Sequence, residues 1–158
     1  MKPLVLTFLA LAASPRAVAT QRPPVNGTRP PVTIVVNNAN PVDTLTVAEL
    51  RRIFMKQQRL WAHGDTIVPV DWDAASQMRR LFSQIVLGRS VREMAEYWVQ
   101  QSVTQGLAPP STLSSGLAVA RFVATVPGAI AYLPPDAVDR SVKRVRIDGL
   151  PVFPAQIR

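Results

Sequence analysis

Apolar residues recur along the chain in two rhythms, and the switches between them outline the fold. Val32-Thr33-Ile34-Val35-Val36 is a β-branched run that stops at Asn37-Asn38, which predicts a buried strand. Thr46 and Glu49 then form a T-x-x-E capping box, and Val47, Leu50, Ile53 and Phe54 follow at helical spacing. Trp61 to Asp65 reads as a turn carrying His63 and Gly64, and Thr66 to Val70 as a second buried strand. Met78, Leu81, Phe82, Ile85 and Val86 predict a helix ended by Gly88. Ser90 and Glu93 open another helix, with Val91, Met94, Ala95, Trp98 and Val99 as its expected core stripe.

Gln105 to Pro110 reads as a loop. A fourth helix opens at Ser114 or Ser115, with Leu117, Phe122 and Val123 expected in the core, and stops at Pro127-Gly128. Ala129 to Leu133 reads as a short buried strand closed by Pro134-Pro135. From Val142 to Ile147 apolar and basic residues alternate, as in a strand with one buried and one wet, basic face. Strands alternating with about four amphipathic helices predict an α/β layered domain built on a mixed sheet.

The N-terminus follows another logic. Met1-Lys2 precedes an apolar run from Leu4 to Ala13, too short to span a bilayer, and Ala17-Val18-Ala19 supplies a small-x-small cleavage pattern. Residues 1–19 are therefore expected to be a secretory signal peptide, and export to the periplasm follows. Its loss would remove Lys2 and Arg16 and lower the net charge from +8 to +6. Residues 20–31 (TQRPPVNGTRPP) carry two Pro-Pro pairs and read as a Pro-rich linker, which leaves residues 32–158 as the folded domain.

Composition removes several functions. The chain has no cysteine, which excludes disulfide frameworks, thiol nucleophiles and Cys-type zinc sites. With His63 as the single histidine, no metal site and no cofactor is expected. No basic run is interleaved with aromatics, so no nucleic-acid partner is expected despite the positive charge. Asp71 and Asp73 could form an acid/base pair, but no nucleophile accompanies them, and the chain is not expected to be an enzyme.

Local chemistry concentrates in the turn from Pro69 to Arg79. A helix that starts at the carboxyl end of a strand offers unpaired N–H groups and a partial positive charge, a natural anion site. Ser76 could add a hydroxyl and Arg79 a guanidinium. The same residues fit a plainer reading, with Asp73 or Ser76 as an N-cap and Arg79 on the surface.

Four stretches resemble the phosphate-type periplasmic substrate-binding proteins of ABC transporters. Val32 to Pro41 resembles their crossover strand with its Asn-Pro turn. Leu45, Leu50, Ile53, Phe54, Trp61, Gly64, Ile67, Pro69 and Val70 match their L-x-x-x-x-L-x-x-I-F … W-x-x-G-x-x-I-x-P-V pattern. Ser76-Gln77-Met78-Arg79-Arg80-Leu81-Phe82 falls where the family has S-G-T-R-x-x-F. Val126 to Tyr132 resembles P-G-A-I-G-Y, and Val142 to Gly149 the returning V-K-x-x-x-I-D-G strand.

The resemblance spans residues 32–153 and implies a single periplasmic-binding-protein-like lobe. It also implies a ligand site at Ser76, Gln77, Met78 and Arg79 for phosphate or a similar oxyanion. The family closes two lobes around its anion, and the Gly- and Ser-rich part that builds the first has no counterpart here. Of S-G-T only the serine remains: Gln77 replaces the glycine that lets backbone approach the anion, and Met78 replaces a hydroxyl donor. Asp71 and Asp73 are expected to disfavour an anion, since a carboxylate about 6 Å away costs about 1 kcal/mol. The implied function is weak oxyanion binding by an exported solute-binding-like protein, with a membrane transporter or a second periplasmic protein as partner. The alternative is a periplasmic accessory or interaction module that reuses the lobe, with Trp72 and the basic face of the last strand as contacts.

Overall fold

The computed structural model describes residues 32–149. The expected signal peptide (residues 1–19), the expected Pro-rich linker (20–31) and the last residues of the expected 32–158 domain lie outside the described residues. The elements run β1 (Thr33–Asn37), β2 (Thr44–Thr46), α1 (Val47–Phe54), β3 (Val68–Trp72), α2 (Gln77–Phe82), α3 (Val91–Gln105), β4 (Ser111–Leu113), α4 (Gly116–Thr125), β5 (Ala129–Leu133) and β6 (Val142–Asp148). They form one six-stranded mixed sheet in the order β2-β6-β1-β5-β3-β4. β1 pairs antiparallel with both β5 and β6, whereas β2–β6, β3–β5 and β3–β4 are parallel. Every strand but β1 therefore points the same way, and the carboxyl ends of β3, β4, β5 and β6 share one edge of the domain.

Local sequence explains most element ends. Thr46 and Glu49 close a reciprocal capping box on α1, and Ser90 and Glu93 do the same on α3. Ser115 caps α4 through the Ala118 N–H at 3.2 Å. The helix begun by α2 continues without a break as a π-helical turn, Ser83–Leu87, and ends at Gly88 in the left-handed region with φ 66°. Arg51 donates through Nε to the carbonyl of Val86 at 2.8 Å and ties that turn to α1. Asn37, at the end of β1, donates through Nδ2 to the carbonyls of Val123 and Ala124, both at 2.9 Å, which pins the end of α4 to the sheet.

The core lies between the helices and the central strands. All of β5 is buried, as are Ile34, Val35 and Val36 of β1. Phe82 of α2 stacks on Tyr132 of β5 with ring centroids 3.9 Å apart, and Phe54 of α1 leans on Phe82 at 4.6 Å. Gly128 sits where a Cβ would fall 2.0 Å from the Thr66 carbonyl oxygen. The close approach lets the Gly128 carbonyl accept from the Val68 N–H at 2.9 Å and from the Trp61 indole at 3.2 Å, which starts β3 in register beside β5.

Four details differ from the sequence expectations. The second strand is shifted toward the C-terminus, so Asp71 and Trp72 belong to β3 rather than to the turn after it. Leu117 is exposed, whereas Val123 is buried as expected together with Val119 and Ala120, and Phe122 packs half-buried against the core. In the expected stripe of α3 only Met94 and Trp98 are buried, and Val99 stays 67% exposed. On β6, Lys143, Val145 and Ile147 share the more covered face, while Arg144 and Arg146 point the other way and are exposed.

A candidate anion site beside a buried ion pair

The turn between β3 and α2 lies at the shared carboxyl edge of the sheet, the position where open α/β sheets place their ligands. The chain leaves β3 at Trp72 and makes a turn in which the Ser76 N–H donates to the Asp73 carbonyl at 2.9 Å. Ser76 then caps α2: its Oγ accepts from the Met78 N–H at 3.1 Å. The Arg80 N–H is the first of the helix to reach back, to the Ser76 carbonyl at 3.2 Å. The N–H groups of Gln77 and Arg79 thus belong to the first turn, which has no carbonyl behind it.

All four expected ligand residues fall in this turn, with different exposure. Gln77 is exposed, Ser76 and Met78 are half-buried, and Arg79 is buried. The Arg79 side chain is not free. Its guanidinium forms an ion pair with the Asp71 carboxylate, and both side chains are withdrawn from solvent. The Tyr132 hydroxyl donates to Asp71 Oδ1, which also accepts from the Trp72 N–H at 2.9 Å. Strands β3 and β5 and helix α2 meet at this one carboxylate.

The electrostatics follow from burial. Desolvation pushes the Tyr132 phenol well above its ordinary range, against the opposing pull of Arg79. Tyr132 is therefore a neutral hydrogen-bond donor at any physiological pH. Burial also draws Arg79 below the usual guanidinium value, but a guanidinium so placed keeps its charge. Asp71 and Arg79 neutralise each other, so Asp71 does not set an uncompensated negative charge beside the turn, in contrast to the sequence expectation. Asp73 does remain exposed.

Trp72 also departs from its expected role. It is buried rather than a protruding contact, and its indole N–H donates to the Tyr132 carbonyl at 2.8 Å. The Tyr132 link was missed in the sequence. A tyrosine inside the apolar strand Ala129–Leu133 was the available signal, because a buried phenol needs a polar partner. Among the described residues no three His, Asp or Glu side chains converge as a metal site. His63 lies 3.5 Å from Asp65 on an exposed turn.

The fold is that of one lobe of a substrate-binding protein. No protein-family model matches the chain. Solved structures with the same fold include an ABC-type phosphate transport receptor from Vibrio cholerae, 24% identical with a TM-score of 0.61. A phosphate ABC transporter substrate-binding protein from Clostridium perfringens, solved with phosphate bound, is 24% identical with a TM-score of 0.63. A phosphate-binding protein from Stenotrophomonas maltophilia is 18% identical with a TM-score of 0.55. The matches cover 77%, 78% and 75% of this chain but 48%, 47% and 39% of those proteins, so the chain spans about half their length or less.

The buried pair sets a stability prediction. Asp71→Asn leaves Arg79 charged and unpaired and is expected to cost about 3–5 kcal/mol in urea unfolding. Tyr132→Phe removes one donor and is expected to cost about 1–3 kcal/mol. Asp71→Asn combined with Arg79→Met should cost clearly less than the sum of the two single changes. Strict additivity would show that the two side chains do not act as a pair.

Proposed function

We propose that the protein is an exported solute-binding-like protein that holds phosphate or a similar oxyanion weakly at the first turn of α2. The observation that supports this reading is the Ser76-capped helix start at the carboxyl end of β3, in a lobe with the fold of phosphate-binding proteins. The ligands are the first-turn amides of Gln77 and Arg79 together with the Ser76 hydroxyl, whose oxygen accepts from the Met78 N–H. Arg79 acts mainly by position: held by Asp71, it fixes the turn and supplies little net charge. Gln77 crowds the place where a glycine would let the anion come closer, and Met78 gives no hydroxyl. Both features lower affinity. Nothing in the site calls for bond making or breaking, and the similar solved proteins are transport components rather than enzymes.

The periplasm as the site of action is part of the same reading. It rests on the charged start, the short apolar run and the Ala17-Val18-Ala19 pattern. Among the described residues no helix is long and apolar enough to cross a membrane. The intact mass of the exported protein should correspond to a chain beginning at Thr20. A mass that retains residues 1–19 would contradict the cleavage.

Anion binding is tested by melting curves with phosphate, sulfate or arsenate at matched ionic strength. A ligand at 100 times its dissociation constant adds about 2.7 kcal/mol, a rise of several degrees for a domain of this size. Phosphate is expected to raise the melting temperature. Gln77→Glu should abolish the rise by placing a like charge on the site. Gln77→Gly with Met78→Thr should enlarge it at a given phosphate concentration. No rise in the parent, or a rise that Gln77→Glu leaves intact, would contradict the assignment.

A further inference from the structure

With Arg79 neutralised by Asp71, the remaining arginine of α2 is its neighbour, Arg80. Successive residues of a helix are turned by about 100°. Arg79 therefore faces the sheet and is buried, while Arg80 faces solvent and is exposed. Long side chains on a helix lean back toward its N-terminus. Arg80 does so far enough that its Nη1 donates to the Ala75 carbonyl at 2.6 Å. Ala75 directly precedes the Ser76 cap, so the guanidinium is drawn over the turn that opens α2. Among the described residues no carboxylate lies within ion-pair distance of Arg80, and Asp73, exposed in the same turn, does not pair with it.

We infer that Arg80, rather than Arg79, is the cationic ligand of the oxyanion at the α2 turn. The inference rests on the anion reading proposed above and names the residue that supplies its charge. Electrostatics support it. The start of a helix is its positive end, where a cation is disfavoured and an anion favoured. A guanidinium folded back over that end without a carboxylate partner is unfavourably placed until an anion joins it. The donor count supports it as well. A guanidinium has five N–H donors in a planar fork, and Ala75 takes one from Arg80. The others are free to meet an oxyanion at two points, a contact that the first-turn amides and the Ser76 hydroxyl complete from the helix side. Arg79 lacks this freedom, because its guanidinium is committed to a carboxylate within the fold.

Phosphate titrations of the full chain, repeated at two fixed ionic strengths, test it. The parent is compared with Arg80→Gln, Arg80→Lys and Arg144→Gln, the last removing an exposed arginine on β6. Arg80→Gln is expected to weaken phosphate binding about three- to tenfold and to flatten its dependence on salt. Its melting temperature without phosphate should stay close to the parent's, because Arg80 is exposed. Arg80→Lys keeps the charge without the fork and should fall between the two. Arg144→Gln should bind as the parent does. If Arg80 only caps the Ala75 carbonyl, Arg80→Gln will bind phosphate as tightly as the parent, which overturns the inference and leaves the anion reading standing. Equal weakening by Arg144→Gln also overturns it, since the charge would then act from anywhere on the surface. A parent without saturable phosphate binding overturns the anion reading itself, and the inference with it.

Discussion

The ion pair between Arg79 and Asp71 is the contact on which the rest of this lobe depends. Each charge is withdrawn from water and neither is tolerable there alone. Asp71 lies one residue before the end of β3, Arg79 lies in the first turn of α2, and Tyr132 joins them from β5, so one carboxylate fixes the helix start over the sheet edge. The same contact shapes the chemistry of the site. A guanidinium that has already satisfied a carboxylate adds little attraction for a second anion. In the proposed reading an anion is left to backbone amides and one hydroxyl, donors that recognise an oxyanion by geometry more than by net charge.

Much of the fold was legible in the sequence because local rules and tertiary packing agree there. Thr46 with Glu49, Ser90 with Glu93, and Gly88 mark helix ends by their own hydrogen bonding or backbone freedom, which no distant contact overrides. The apolar runs of β1 and β5 are buried on both faces and could be little else. The short strands β2 and β4 were hidden, because three residues at a sheet edge carry no period and are set by the neighbouring strand. Periodicity also could not tell which helix stripe is covered. α3 has the spacing of a core helix, yet Val99 and Val103 are exposed because no described element packs over them.

The candidate site was legible as a position and not as an electrostatic arrangement. The strand-to-helix turn and its serine cap follow from order and spacing alone. The neutralisation of Arg79 depends on a side chain from β5, far away in the chain, and on strand β3 extending to include Asp71. Two surfaces of different character meet around that pair. The α2 turn is polar and is the proposed oxyanion site, whereas α3 leaves Val99 and Val103 as an exposed apolar face.

The central claim, that an anion rests on the first-turn amides of α2, is tested most directly by following backbone amide resonances while phosphate is added. The account expects saturable shifts at the amides of Gln77, Met78 and Arg79, with the Ser76 turn following and the exposed arginines Arg144 and Arg146 unmoved at constant ionic strength. Shifts confined to those surface arginines, or no saturable shift at the α2 turn, would contradict it.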